Sequence, residues 1–176
     1  VFTTGLYKFQ PEGSLSWHHL WFVLYLFIFS IVLIPAFVYL TRHPDAWLVR
    51  KTKRFAGRRF GLYIFLIPLF LWDFLLERHF PVHNALVGDW FGLINFCTLF
   101  FSGFLLLMAK DQFWENVTRN RMTYLGCGIA GFCLLLLNWY VLGSFPLKDV
   151  FYSSVKVFNM WSWLLALFGL AAAYLN

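Results

Sequence analysis

Long apolar runs separated by short polar connections dominate this chain. Residues 20–41 contain no charged residue, and about 22 helical residues at 1.5 Å each span roughly 33 Å, enough to cross a hydrocarbon core of about 30 Å. Further apolar runs follow at about 60–77, 90–109, 122–143 and 151–175, without the alternating pattern of strands. The pattern predicts an all-α fold, a polytopic transmembrane bundle with about five membrane helices.

The composition excludes a water-soluble globule. Of 176 residues, 61% are hydrophobic and 12% are charged, and the mean hydropathy is +0.68. Too few polar residues remain to cover the outside, so the outer surface must face lipid. We treat residues 1–176 as a single membrane-embedded domain. Because the chain begins with Val1 and ends on an apolar run, we interpret it as a fragment whose missing helices belong to the same polypeptide.

Cysteine and histidine residues give no metal or cofactor signature. The three cysteines lie inside apolar runs at spacings that fit neither a disulfide framework nor a zinc site. His79 and His83 would share a helix face, but Pro81 between them favours a loop. We therefore predict no metal site and no bound cofactor.

Basic residues are distributed unevenly between the two sides. The connections at 42–59 and 110–121 hold ten of the Lys and Arg residues, whereas Lys8, Arg78 and Lys148 lie on the opposite side. The positive-inside rule makes the two basic connections cytoplasmic and the start of the chain extracytoplasmic. This distribution accounts for the net charge of +6 without a nucleic-acid partner.

The connection at 42–59 has two interpretations that the sequence leaves open. Its charge is explained by contact with anionic lipid headgroups. Alternatively, it attracts a phosphate-rich donor such as a coenzyme A thioester. The candidate donor-side residues are Arg50, Lys51, Lys53, Arg54, Arg58 and Arg59.

Two short motifs match known signatures by spacing alone. The run 126–131, Gly-Cys-Gly-Ile-Ala-Gly, has the dinucleotide-binding spacing but no preceding strand, so we interpret its small residues as allowing close helix packing. Asn116-Val117-Thr118 matches a glycosylation acceptor but lies on the predicted cytoplasmic side. We attribute that match to chance.

Two ionisable residues lie inside apolar runs, Asp73 and Lys156. Charges at membrane depth are costly, so such residues usually face a cavity, a partner or the interface. Either Lys156 extends alone to the headgroups, or it shares a polar cavity with Asp73. Both alternatives stay open from the sequence.

Several segments resemble the acyltransferase-3 family of bacterial membrane proteins, especially its glucan biosynthesis protein C branch. The resemblance begins at about residue 15 and continues to the end of the chain. Its motifs are Trp17-His18-His19-Leu20-Trp21-Phe22, Gly88-Asp89-Trp90, Phe100-Phe101-Ser102-Gly103-Phe104, Phe113-Trp114-Glu115 and Trp161-Ser162-Trp163.

The resemblance implies an inner-membrane O-acyltransferase. Such an enzyme takes an acyl group, of acetyl or succinyl type, from a cytoplasmic acyl-CoA and places it on a hydroxyl of an extracytoplasmic glucan or other saccharide. In the family the catalytic histidine lies in the first membrane helix, which would precede Val1 here. The fragment alone is therefore expected to be inactive.

On this interpretation, an acceptor pocket lies near the outer face of the bundle. The candidate acceptor-site residues are His19, Trp21, Asp89, Lys156 and Asn159. The alternative function is a transport or binding bundle without chemistry, for a small molecule or a lipid-linked saccharide, in which Asp73 and Lys156 line a path.

Overall fold

The computed structural model describes residues 20–76, 80, 89–140 and 148–174, and these residues are helical apart from single residues and the short turns at 43–46 and 57–60. The predicted all-α fold is confirmed. The elements are α1 (Leu20–Arg42), α2 (Trp47–Ala56), a 3-10 helix (Gly61–Phe65), α3 (Leu66–Leu76), α4 (Trp90–Met108), α5 (Lys110–Tyr140) and α6 (Lys148–Tyr174).

Four of these helices are long and apolar enough to cross a membrane. They cover Phe22–Arg42, Trp90–Met108, Lys110–Tyr140 and Phe151–Tyr174, and a shorter apolar helical segment covers Gly61–Leu76. Large apolar side chains along these helices stay exposed, as lipid contact requires. The protein is therefore membrane-embedded, and its described residues form four long apolar helices and one short apolar segment where the sequence predicted about five membrane helices.

The apolar run expected to form one helix over 60–77 is divided into two parts. Residues Gly61–Phe65 are a 3-10 helix, and α3 begins at Leu66. Pro68 explains the change, because within a continuous α-helix it would lack the N–H that bonds residue 64 and its ring would crowd that carbonyl group. With α3 beginning at Leu66, Pro68 lies in the first turn, where a missing N–H costs little.

The prediction of a connection at 110–121 is wrong, because those residues form the first part of α5. Only Ala109, which is fully buried, separates α4 from α5. The buried residues of this part recur at helical spacing, Phe113, Asn116, Val117 and Asn120, followed by Tyr124. The two asparagines can occupy this buried helix face because their amides are hydrogen-bonded.

The connection predicted at 42–59 also contains a helix, α2. Val49, Thr52 and Ala56 form its buried face at spacings of three and four residues. Arg50 and Arg54 are exposed on the other side. The segment is therefore an amphipathic helix and not an extended polybasic loop.

Helices α5 and α6 form the most extensive helix pair of the described chain. A Cβ on Gly128 would lie 3.2 Å from the Trp163 ring, one on Gly131 would lie 3.0 Å from Asn159 Oδ1, and one on Gly169 would overlap the Val117 carbonyl. These contacts define an antiparallel register. The interpretation of 126–131 as a packing motif is confirmed for Gly128 and Gly131, whereas Gly126 faces open space.

Candidate functional site

An ion pair joins α3 to α6 inside the bundle. Lys156 Nζ lies 2.7 Å from Asp73 Oδ1, and the Asp73 side chain is 4% exposed while that of Lys156 is 34% exposed. Lys156 Nζ also lies 5.9 Å from the centre of the Tyr152 ring, within the range of a cation–π contact. The structure thus brings Asp73 and Lys156 together, as the shared polar cavity requires.

The ion pair lies toward one particular end of the bundle. Asp73 is three residues before the last residue of α3, Leu76, and Lys156 is about two turns into α6. The basic helix α2 lies at the opposite end of the segment Gly61–Leu76, because it directly precedes that segment. The polar pair and the basic helix are therefore separated along the direction in which the helices run.

Three buried acceptor oxygens on α3, α5 and α6 have no hydrogen-bond donor among the described residues. They are Asp73 Oδ2, Asn138 Oδ1 and Asn159 Oδ1. Asn159 belongs to the face of α6 that packs on Gly131, one turn from Lys156. Buried polar atoms are normally paired, so three unpaired acceptors in the same half of an apolar bundle indicate a place where hydrogen-bond donors are expected.

Asp89, another predicted acceptor-site residue, has a structural contact at the start of α4. Its carboxylate accepts a hydrogen bond of 2.9 Å from the Gly92 backbone N–H, and Asp89 itself is 1% exposed. This is the contact of a helix N-cap. His19 lies outside the described residues, and Trp21 belongs to the first turn of α1.

The predicted donor-side residues do not all serve the same purpose. Arg59 Nη2 donates to Thr123 Oγ1 over 3.0 Å, which connects the turn after α2 to α5. Lys51 Nζ lies 5.6 Å from the Trp47 ring centre, and the Arg58 guanidinium lies 5.8 Å from the Phe55 ring centre. The exposed Arg50 and Arg54 remain available to an anionic partner.

A polar cluster that sequence reasoning missed holds the end of α2 to α5. Asn116 Nδ2 donates to the carbonyls of Ala56 and Arg58, the latter over 2.6 Å. The Tyr124 hydroxyl lies 2.7 Å from both the Arg59 carbonyl and Asn116 Oδ1, and its single proton serves one of them at a time. Asn120 Nδ2 donates to Asn116 Oδ1 over 2.8 Å.

The Asn116 amide satisfies the Ala56 carbonyl, one of the last carbonyls of α2, which a helix itself leaves without donors. It is a second donor to the Arg58 carbonyl in the turn after α2, which also accepts from the Gly61 N–H. Asn116 is 1% exposed, so in the folded protein its amide is a structural donor and not a glycosylation acceptor. The signal in the sequence was the spacing of Asn116, Asn120 and Tyr124 at four-residue intervals, which places all three on one helix face.

Comparison with known proteins adds no family to these observations. No family model, curated protein or solved structure matches the chain. Within the described ranges, no three His, Cys, Asp or Glu side chains come together as metal ligands.

Proposed function

We propose that this chain is the membrane-embedded part of an O-acyltransferase that acylates a saccharide on the extracytoplasmic side. The donor is a cytoplasmic acyl-CoA, and the acyl group is of acetyl or succinyl type. In the reaction a saccharide hydroxyl attacks the thioester carbonyl, the hydroxyl proton goes to a general base, and coenzyme A leaves as the thiol. We assign no base among the described residues.

The observation that carries the proposal is the set of unpaired acceptor oxygens near the Asp73–Lys156 pair. A saccharide offers many hydroxyl donors, and Asp73 Oδ2 and Asn159 Oδ1 are acceptors for which the described residues provide no donor. Lys156 adds a cation that can hold a hydroxyl oxygen. These groups match the needs of a hydroxyl-rich ligand better than those of an apolar one.

The basic helix α2 supports the donor half of the proposal. Acyl-CoA carries phosphate groups, and exposed Arg50 and Arg54 offer charge-assisted hydrogen bonds to phosphate. Because α2 and the ion pair lie at opposite ends of the segment Gly61–Leu76, donor and acceptor would approach from opposite sides. An enzyme that passes an acyl group outward requires that arrangement.

Activity assays with Asn159 variants test the acceptor site. In the complete polypeptide that contains this chain, we expect Asn159→Ala to raise KM for a glucan acceptor while KM for acetyl-CoA stays unchanged. Ser30→Ala, a change at an exposed position of α1, is the control and should alter neither constant. Equal effects of Asn159→Ala on both KM values would contradict an acceptor role.

The same assay tests His18 and His19, which precede α1 in the sequence. We expect His19→Ala to lower acylation per folded molecule on the order of 10²-fold if it positions the acceptor. His18→Ala is the adjacent control. Equal and small losses in both would leave His19 as an interfacial anchor. The 176-residue chain alone should not catalyse acyl transfer.

The ion pair also favours one other function, a transport or binding bundle without chemistry. Ionisable side chains within membrane helices often mark the path of a polar substrate. Proteoliposomes that hold the chain but no acyl donor distinguish the two functions. Saccharide uptake that Lys156→Met abolishes would favour transport, whereas acylation without uptake favours the enzyme.

A further inference from the structure

An open apolar groove lies where α1 meets α2, away from the ion pair. Its volume is about 360 Å³, and it is lined by residues of α1, α2 and α4 that include Tyr39, Leu40, Trp47, Leu48 and Phe101. The volume falls at the lower end of the range of about 300–1,000 Å³ that ligand pockets occupy. None of these lining residues carries a charge, so the groove suits a hydrocarbon chain.

The groove lies at the membrane boundary. The apolar span of α1 ends at Arg42, and the groove is formed by the last turns of α1 and the first turn of α2. Trp47 is 65% exposed, which is typical of the aromatic side chains that lie at headgroup level. An apolar groove at this depth is in direct contact with the upper part of lipid acyl chains.

The polar edge of the groove is basic. Lys51 Nζ lies against the face of Trp47, 5.6 Å from its ring centre, while the His43 ring stacks on Tyr39 at 4.5 Å and contacts its carbonyl. Between residues 42 and 54 the sequence has five Lys or Arg residues and a single acid, Asp45. Positive charge is thus concentrated beside an apolar groove.

We propose that this groove is a binding site for an anionic phospholipid. One acyl chain lies along Leu40, Leu48 and Phe101, and the headgroup phosphate pairs with Lys51 beside Trp47. The charge of the rim selects the occupant, because a zwitterionic lipid brings its own ammonium group to a rim that is already cationic. An apolar protein helix would fill the groove but would leave the rim charges unpaired.

Lipid retention in mixed nanodiscs tests the proposal. The chain is reconstituted in equal parts of phosphatidylglycerol and phosphatidylcholine with the same acyl chains, and native mass spectrometry counts the lipids that stay bound. We expect preferential retention of one phosphatidylglycerol. Lys51→Gln should lower the preference roughly five-fold, the ratio that corresponds to about 1 kcal/mol per basic residue near an anionic surface.

Two further variants separate the groove from general surface charge. Arg54→Gln removes the same charge three residues further along α2, about two turns from Trp47 at the groove, and should leave retention unchanged. Ala36→Trp fills the groove from α1 without changing any charge and should abolish retention. If Ala36→Trp does not fold, the comparison of Lys51→Gln with Arg54→Gln decides alone.

Several results would overturn the proposal. Equal losses in Lys51→Gln and Arg54→Gln would show diffuse attraction by the whole basic helix. Equal retention of the two lipids would show that the headgroup is not recognised. Retention that survives in folded Ala36→Trp would place the lipid elsewhere, and a change of oligomeric state in that variant would make the groove a protein contact.

Discussion

Single polar side chains hold this largely apolar bundle in one arrangement. Asn116 is the clearest case, since its amide donates to two carbonyls at the end of α2 and its own oxygen accepts from Asn120. Apolar contacts between helices in lipid are weakly directional, because lipid tails are as apolar as the side chains they would replace. Buried amides therefore fix the register that packing alone leaves loose.

Replacing Asn116 by aspartate should destabilise the protein strongly. Asn116→Asp removes the Nδ2 donor, leaves the Ala56 carbonyl without that donor and places a carboxylate oxygen against the carbonyls of Ala56 and Arg58. The Arg58 carbonyl keeps its bond from the Gly61 backbone N–H. Each lost donor to a buried acceptor costs about 1–3 kcal/mol. Unfolding by SDS in mixed micelles, followed by circular dichroism, measures the loss. Thr118→Ala destroys the same glycosylation match without removing a side-chain bond to α2, so a similar loss there would contradict the structural role.

The two partners of the buried ion pair should differ in what their removal costs. Lys156→Met leaves the Asp73 carboxylate, 4% exposed, without its cation, and breaking a buried pair in this way costs about 3–5 kcal/mol. Asp73→Asn should cost less, because Lys156 is partly exposed and can extend toward the headgroups. Thermal unfolding in detergent compares the two variants.

The double variant Asp73→Asn with Lys156→Met completes this comparison. It should recover much of the stability lost in Lys156→Met, because no uncompensated charge remains. Lys110→Met, at an exposed position, is the control for the loss of a lysine. A larger loss in Asp73→Asn than in Lys156→Met would show that Asp73 does not depend on Lys156 for its charge.

The close packing of α5 against α6 depends on glycines at particular positions. Gly169 lies against the Val117 backbone, and Gly131 lies against Asn159. These close approaches bring Asn159 of α6 against α5, while Lys156, one turn earlier on α6, lies beside Asp73 of α3. The geometry of the candidate acceptor site is thus a consequence of how two helices pack.

Alanine substitutions at two glycines should separate packing from helix propensity. Gly169→Ala would force its Cβ into the Val117 carbonyl and to 2.9 Å from the Arg121 Cβ, so the helices must separate at a cost of about 1–3 kcal/mol. Gly126→Ala meets no atom within 4 Å and should be neutral or stabilising by up to about 1 kcal/mol. Denaturant midpoints in detergent distinguish them. Equal midpoints for the two variants would contradict the tight α5–α6 contact.

For the whole molecule, the orientation in the membrane remains a prediction from charge. Ten of the Lys and Arg residues lie in 42–59 and 110–121, which the positive-inside rule places in the cytoplasm. The fold is compatible with that placement, since α2 and the first part of α5 are bonded to each other through Asn116. Both basic segments must therefore lie on the same side.

Cysteine labelling measures the orientation directly. In a chain whose native cysteines are replaced by alanine, Lys53→Cys should react with a membrane-impermeant maleimide only from the cytoplasmic side. Phe80→Cys, in the connection between α3 and α4, should react only from the outside. Labelling of Lys53→Cys from outside alone would reverse the orientation and the placement of the His18–His19 end.

The amino-acid sequence by itself determined the membrane environment and the helical class. Apolar runs of about 20 residues have few alternatives in lipid, because a helix satisfies every backbone hydrogen bond within its own segment. The end of α1 at Arg42 and the start of α4 at Trp90 agree with the sequence pattern to within one residue. The sequence locates these helix boundaries because hydropathy and charge both change at the same residues.

Only the tertiary structure decided what the polar residues inside the bundle do. In the sequence, Asn116 is only part of a chance glycosylation match, and Lys156 has two possible environments. In the structure, Asn116 bonds α2 to α5, and Lys156 pairs with Asp73 of α3. Partners that are about 60 to 80 residues apart in the chain leave no local signal in the sequence. The reason is physical: a buried polar atom is specified by the donor or acceptor that meets it across helices, and helix packing alone supplies that partner.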